Sequence, residues 1–215
     1  GQYIDAHGNV ISCATTAHAV VSVSPKGKRT VLADRYEGKP FNSPNDLWID
    51  PKGGIYFTDP RYEMPGVDLG PIEQGGQHVY YIAPGGKKVI RVVDDMVRPN
   101  GLVGTDDGKT LYIADHGAGK TYSYSVQPDG TLANKKIFAP QGSDGVTMDE
   151  RGNVYAVGSR GVIAHSADRG VTWERQESGT SEWLRGVWGT DPDPSSGATY
   201  DVTAVGSNGS IVHMD

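Results

Sequence analysis

Apolar residues in this chain come in short runs, most of them alternating with polar ones or rich in Val, Ile, Tyr and Thr, and polar turns containing glycine separate the runs. That pattern predicts strands of three to six residues, grouped in five repeats. In the first repeat, strands are expected at Gln2–Asp5, Val10–Ala14, Ala19–Ser24 and Arg29–Ala33. In the second they fall at Asp46–Ile49, Ile55–Thr58, His78–Ile82 and Lys88–Val93. The third has Gly101–Gly104, Thr110–Ala114, Thr121–Val126 and Lys135–Phe138, and the fourth has Val146–Met148, Val154–Val157, Val162–Ser166 and Val171–Gln176. The fifth has only Leu184–Trp188, Tyr200–Val205 and Ser210–His213. No stretch carries a helical period over three turns.

A recurring phrase sets the phase of these repeats. It reads Asp-Ala-His-Gly-Asn-Val at 5–10, Asp-Pro-Lys-Gly-Gly-Ile at 50–55, Asp-Asp-Gly-Lys-Thr-Leu at 106–111 and Asp-Glu-Arg-Gly-Asn-Val at 149–154. Its glycines Gly8, Gly53, Gly108 and Gly152 stand 45, 55 and 44 residues apart. Four short strands on a period of about 40–50 residues are the mark of a β-propeller. The expected fold is therefore all-β, five blades of mostly four antiparallel strands with the last blade incomplete. The longer second repeat carries its extra residues in Tyr62–Gly76, a Pro- and Gly-containing loop of the kind that often carries function. The short fifth repeat leaves two closures open. One is a five-bladed ring with a short blade; the other is a partial propeller completed by a second copy or by further sequence, with self-association through the unpaired edge.

Composition narrows the partners. Lys and Arg number 20 against 26 Asp and Glu, a formal charge of −6, which gives no electrostatic case for nucleic acid. No run of 18 apolar residues exists and no basic-then-apolar leader opens the chain, so a soluble protein is expected, with no membrane partner and no visible signal peptide. The one cysteine, Cys13, allows no internal disulfide.

The segment Asn42–Asp59 reads Asn-Ser-Pro-Asn-Asp-Leu-Trp-Ile-Asp-Pro-Lys-Gly-Gly-Ile-Tyr-Phe-Thr-Asp. It closely resembles the gluconolactonase branch of the SMP-30/gluconolactonase/luciferin-regenerating family. The likeness continues through Leu32-Ala-Asp-Arg-Tyr-Glu-Gly38, Arg98-Pro-Asn-Gly-Leu102 and Gly142-Ser-Asp-Gly-Val146, and spans 1–157. Beyond it, Ala156-Val-Gly-Ser-Arg-Gly-Val-Ile-Ala-His-Ser166 returns 48 residues later as Ala204-Val-Gly-Ser-Asn-Gly-Ser-Ile-Val-His-Met214. With Asp168-Arg-Gly-Val-Thr-Trp173, residues 158–215 resemble sialidase-type or photosystem-assembly-factor-type propeller repeats, whose Trp packs between blades. The chain reads as a chimera of two repeat families within one propeller domain; a natural recombinant and an engineered, de novo assembly both account for it.

The resemblance implies a lactonase-like hydrolase with a divalent cation, of the calcium class, at the mouth of the central channel, and a small-molecule lactone as substrate. The family's ligands are a Glu, two Asn and an Asp; the Asn positions map to Asn45 and Asn100, and the Asp to Asp144. All three stand just before the inner strand of their repeat. Inner strands run side by side around the axis, so one repeat position becomes a ring facing the channel. Hard oxygen donors of this kind suit calcium or magnesium. Asp144 is the candidate general base. Arg61, Tyr62 and Glu63 are expected to line the way in, as substrate-binding residues. The family's Glu-Gly-Pro motif is absent, and the fifth repeat puts Arg185 in the ring, facing the substrate and Asp144. At ~4 Å and an effective dielectric of ~20, a unit-charge pair is worth roughly 4 kcal/mol before desolvation, enough to weaken a three-ligand cation site. An impaired lactonase is therefore the favoured expectation, and a non-catalytic scaffold or binding module is the alternative. Glu182 or Glu73 is a possible substitute for the missing carboxylate.

Other polar residues receive structural readings. Asp5, Asp50, Asp106, Asp107 and Asp149 are expected to brace the repeated turns, and His7 and His18 to be solvated. Asp115 and His116 lack a matching nucleophilic serine, so no triad is expected. His165 and His213 stand at matching positions and are expected to pack. Tyr56, Tyr80, Tyr112, Tyr122 and Tyr124 are expected to pack between blades.

Overall fold

The computed structural model describes residues 1–63, 65–86, 88–149, 151–190 and 201–214. Blade 1 consists of β1 (Gln2–Ile4), β2 (Val10–Ala14), β3 (Ala19–Val23) and β4 (Arg29–Ala33), and a small hairpin of β5 (Arg35–Tyr36) and β6 (Lys39–Pro40) follows it. Blade 2 is β7 (Leu47–Ile49), β8 (Ile55–Asp59), β9 (Gln77–Ile82) and β10 (Val89–Met96). Blade 3 is β11 (Pro99–Gly104), β12 (Thr110–Asp115), β13 (Lys120–Val126) and β14 (Leu132–Ala139). Blade 4 is β15 (Gly145–Met148), β16 (Val154–Val157), β17 (Ile163–Ser166) and β18 (Glu174–Gln176). Blade 5 has three strands, β19 (Leu184–Thr190), β20 (Asp201–Gly206) and β21 (Ile211–Met214). The fold is a five-bladed β-propeller, and every blade is an antiparallel meander in chain order. No helix among the described residues is long and apolar enough to cross a membrane.

The repeated turn is built the same way each time. Asp5 Oδ1 accepts the amides of His7 and Asn9, Asp50 Oδ1 those of Lys52 and Gly54, and Asp149 Oδ1 that of Asn153. In the third copy Asp107 does this work, accepting from Lys109 N. Gly8, Gly53, Gly108 and Gly152 all take positive φ, from 66° to 89°, which an L side chain adopts only under strain. In blade 4 a second turn repeats the logic: Asp168 accepts from Thr172 N at 2.8 Å and from Ser166 Oγ at 2.8 Å.

Because side chains alternate across each sheet, one face of a blade packs on the blade before it and the other on the blade after. Ile11, Val20, Leu47, Phe57 and Tyr80 fill the seam between blades 1 and 2. Trp48, Tyr56, Leu111, Ile113 and Tyr124 fill that between blades 2 and 3. Val103, Val146 and Val154, with Tyr112, Phe138 and Trp173, join blades 3 and 4. Tyr155, Val157, Leu184, Val202 and Ala204 join blades 4 and 5. The five tyrosines and Trp173 therefore pack between blades as expected, and Trp173 meets Phe138 edge to face at 5.8 Å. His165 stacks on Tyr155. His18 differs from expectation: its Nδ1 lies 3.0 Å from Phe41 O and 2.7 Å from Asn42 O, so it ties blade 1 to the segment before β7.

Among the described residues no buried cluster joins blade 5 to blade 1. The register Gly186↔Val205↔Ile211 and Trp188↔Thr203↔His213 puts Trp188, Val205 and Ile211 on the face of blade 5 turned away from blade 4. Trp188 is 63% exposed and Ile211 64%. Ile4 and Val31 stand on the corresponding face of blade 1, and Ile4 is 71% exposed.

Candidate active site at the channel mouth

Inner strands of blades 1, 3, 4 and 5, with Asn45 and Asp46 just ahead of the inner strand of blade 2, line one channel of about 470 Å³, bounded by Tyr3, Asn45, Asp46, Leu102, Asp144 and Arg185 among others. A larger cavity of about 720 Å³ lies beside the Asp5 and Asp50 turns, and Asn45, Asn100 and Asp144 take no part in it.

Close approach of neighbouring inner strands assembles the mouth. Three of the ring positions are followed by glycine: Asn100-Gly101, Asp144-Gly145 and Arg185-Gly186. A Cβ on Gly101 would stand 2.6 Å from Asp144 O, and one on Gly145 would stand 2.9 Å from Gly186 Cα and 3.0 Å from Val187 N. Only hydrogen side chains allow these backbones to sit together. The result is a direct hydrogen bond from Asn100 Nδ2 to Asp144 Oδ1.

Two buried carboxylates hold the loops that carry the ring. Asp59, at the end of β8, accepts from Asn42 N and Ser43 N at 2.9 and 2.8 Å, just ahead of Asn45. Asp115, at the end of β12, accepts from Val97 N and Arg98 N, both at 2.9 Å, just ahead of Asn100. Burial pushes the Asp59 carboxyl up to about 7, against the pull of its two amides.

Asn45, Asn100 and Asp144 come to the same mouth. Asn100 also donates to Tyr62 Oη at 2.8 Å. Asp144 is 9% exposed, and its Oδ2 is buried with no hydrogen-bond partner among the described residues. Burial raises its pKa; the His116 and Arg185 charges and the Asn100 bond oppose the rise, and Asp46 adds to it. Asp46 is a second carboxylate on the channel wall. It accepts from Leu47 N at 3.0 Å and Leu102 N at 3.2 Å, and burial raises its pKa as well.

The expected substrate-binding group divides. Tyr62 is at the mouth. Arg61 turns into its own loop, donating from its guanidinium to Leu69 O at 2.8 Å with Nε 3.5 Å from Glu63. Glu63 is exposed. Arg185 lines the channel but makes no ion pair with Asp144: its Nε donates to Ser207 Oγ at 3.1 Å and its guanidinium lies 5.1 Å above the Trp183 ring. Glu182 accepts from Asn208 Nδ2, and neither Glu182 nor Glu73 lines the channel.

Sequence reading missed His116, Trp183, Arg98 and Asp46. His116 stands between two rings, 6.4 Å from Tyr62 and 6.2 Å from Trp183, the second a stacked pair. Arg98 caps the other side of Tyr62 at 5.4 Å. Arg98, Tyr62, His116, Trp183 and Arg185 thus form one arc above Asn100 and Asp144. Arg98 and Trp183 stand two residues before their ring positions, where the other copies carry Ser43 and Gly142, and Asp46 stands where the other copies carry Gly101, Gly145 and Gly186; residue type does not repeat at these positions, so the repeat did not mark them. The signal within reach was the glycine after Asn100, Asp144 and Arg185, which Asp46 replaces after Asn45.

Comparison with known proteins agrees with this architecture. A gluconolactonase of Zymomonas mobilis subsp. mobilis is 29% identical over 183 residues, covering 78% of this chain and 51% of that protein. Lactonohydrolase oryL of Aspergillus oryzae is 29% identical over 164 residues, 64% of this chain and 38% of that protein. The chain thus spans about half, or less, of the length of these relatives. The solved gluconolactonase of Xanthomonas campestris superposes with a TM-score of 0.81 at 25% identity, over all of this chain and 71% of that one. The calcium-binding regucalcin of Agrobacterium tumefaciens shares the fold, with a TM-score of 0.71 at 16% identity. The family described as SMP-30/Gluconolactonase/LRE-like region matches residues 1–184, past Val157 and through the whole of blade 4. On that match the chain belongs to the SMP-30/gluconolactonase/LRE-like family, and its scaffold is of the lactonase type.

Proposed function

We propose that this protein hydrolyses lactones at the channel mouth, with Asp144 as general base. The observation that carries this reading is the buried, unpartnered Oδ2 of Asp144, beside an amide that fixes its other oxygen. A carboxylate so placed is ready to accept a proton from water. That water's oxygen adds to the lactone carbonyl carbon, and its proton passes to Asp144 Oδ2. The ring C–O bond then breaks, and the leaving ring oxygen takes the proton back from Asp144. The product is the open hydroxy acid, and Asp144 is restored. Tyr62, whose pKa is raised mainly by burial, keeps its hydrogen and can donate it to a substrate oxygen.

The donor set also fits the divalent cation of this family. An orphaned carboxylate oxygen with amides around it offers hard oxygen ligands, and Asp46 adds negative charge that offsets Arg185. Asn45, Asn100 and Asp144 would hold the ion. When bound, it supplies polarisation of the lactone carbonyl. Asp46 does not restore the family's fourth ligand, since its carboxylate already accepts two backbone amides, and weak calcium affinity is the expected consequence.

The test is hydrolysis of glucono-δ-lactone followed by acid release, with calorimetric calcium titration of the same samples. Asp144→Asn should lose about 10²–10⁴-fold in kcat while keeping its circular dichroism. A variant that hydrolyses the lactone at the full rate sinks the proposal.

A further inference from the structure

The last two blades are written in one phrase, and the structure uses the two copies differently. Ala156–Ser166 and Ala204–Met214 stand 48 residues apart, so Val157, Ile163 and His165 correspond to Val205, Ile211 and His213. The backbone repeats with the sequence. Each phrase bends through a short turn, Ser159–Gly161 in one and Ser207–Gly209 in the other. Arg160 (φ 58°) and Gly161 (65°) are left-handed in the first, Asn208 (54°) and Gly209 (74°) in the second.

In blade 4 this set is the surface on which blade 5 is laid. Val157 and Ile163 are buried against Leu184, Val202, Ala204 and Met214. The turn clasps the arriving chain: Gly161 N donates to Glu182 O at 2.7 Å, and Leu184 N donates to Gly158 O at 3.0 Å. In blade 5 the same residues lie open. Ile163 is 0% exposed and its counterpart Ile211 is 64% exposed; Val205 and Gly209 are exposed where Val157 and Gly161 are buried. Repeat arrays present polar faces to water, but this face keeps the apolar docking set. Blade 5 also lies almost wholly beyond residues 1–184, so the family match does not account for it.

We infer that the outward face of blade 5 is a docking surface for one β-sheet blade inserted by a separate polypeptide, lying between blades 5 and 1. Both walls of that seam are apolar: Trp188, Val205 and Ile211 on one side, Ile4 and Val31 on the other. A sheet apolar on both faces meets both walls, whereas an amphipathic helix has an apolar stripe for one. The face it lays on blade 5 should resemble the one blade 5 lays on blade 4, with Leu at the place of Leu184 and Val-x-Ala at that of Val202–Ala204. A second copy has no free blade to insert, because each of its sheets is already held on a neighbouring one. The inference is independent of the hydrolase reading.

The probe is a second copy of residues 168–215, joined after Asp215 of the full chain through a cleavable Gly/Ser linker. It opens with the equivalent of β18, an outer strand that blade 5 lacks among the described residues, and continues as the three strands of a further blade. After cleavage the added unit should stay with the chain on gel filtration at micromolar concentration, raise its thermal midpoint, and dissociate the dimer that the unextended chain forms through the same face. Ile211→Asp in the chain alone should weaken retention at least tenfold, because it carries a carboxylate out of water. Val202→Asp in the added unit alone should do the same. Ile137→Asp, on the exposed outer strand of blade 3, should leave retention unchanged. An added unit that exchanges its amide hydrogens freely while tethered, or that leaves on cleavage, overturns the inference. A dimer of the unextended chain that the unit fails to dissociate also overturns it, and gives the face to a second copy.

Discussion

Asp59 has two opposed demands on it. Both its oxygens accept backbone amides, which favours the carboxylate, yet it is fully buried, which favours the acid. Unfolded, an aspartate keeps its proton only below about 4; folded, Asp59 keeps it up to about 7. The folded state therefore holds an extra proton between these values. The stability this group contributes is full below the lower value and is lost as pH rises through the upper one. The urea midpoint of the wild type should fall between pH 5 and pH 8, and Asp59→Asn should flatten that fall. The variant should also lose about 1–3 kcal/mol at every pH, because an amide cannot accept both N–H groups. Equal slopes in the two proteins would mean that Asp59 ionises well below 7. His116 teaches the complementary lesson. Beside Asp115 it resembled half of a catalytic relay, but Asp115 spends both oxygens on Val97, Arg98 and Ala118 amides. The imidazole instead joins the rim through ring contacts, which no spacing in the chain encodes.

The elements were the most legible part of the chain. Val10–Ala14, Arg29–Ala33 and Val154–Val157 fall where alternation placed them, and the other expected strands are present with ends shifted by a few residues. The Arg35–Pro40 hairpin escaped, because two-residue strands carry no period. Of Arg61, Tyr62 and Glu63, the three residues expected to line the way in, Tyr62 turns to the mouth while Arg61 turns into its own loop. Gln74 points the other way, donating to Lys39 O and Pro40 O, and so ties the loop to that hairpin. The inner strands carry a further requirement. Gly145→Ala puts a methyl against the backbone of β19, where no side chain can move aside. It should cost about 1–3 kcal/mol. It should also reduce lactone turnover more than a surface variant of equal stability does, because β15 positions Asp144. Denaturant unfolding and kcat measured on the same preparation check this; unchanged turnover would show that strand spacing does not set the site.

At the scale of the molecule, buried clusters fill four seams, and among the described residues none joins blade 5 to blade 1. Repeat period and the missing outer strand pointed to that asymmetry, while the exposure of Trp188 and Ile211 depends on packing that no single repeat reveals. An apolar face of this kind favours association of copies. Sedimentation velocity should show a concentration-dependent dimer that Trp188→Glu abolishes; a wild-type monomer throughout the micromolar range would count against it. The mouth lies across this uneven ring. Its groups come from blade 2 (Tyr62), blade 3 (Arg98, Asn100, His116), blade 4 (Asp144) and blade 5 (Trp183, Arg185), so a small molecule bound as proposed would touch four sheets. It would act as a strap around the circle. Occupancy and cohesion then become a single equilibrium: whatever loosens blade 5 weakens the grip on ligand, and whatever fills the mouth closes the ring by RT ln(1 + [L]/Kd), about 2.7 kcal/mol at a hundredfold excess over Kd.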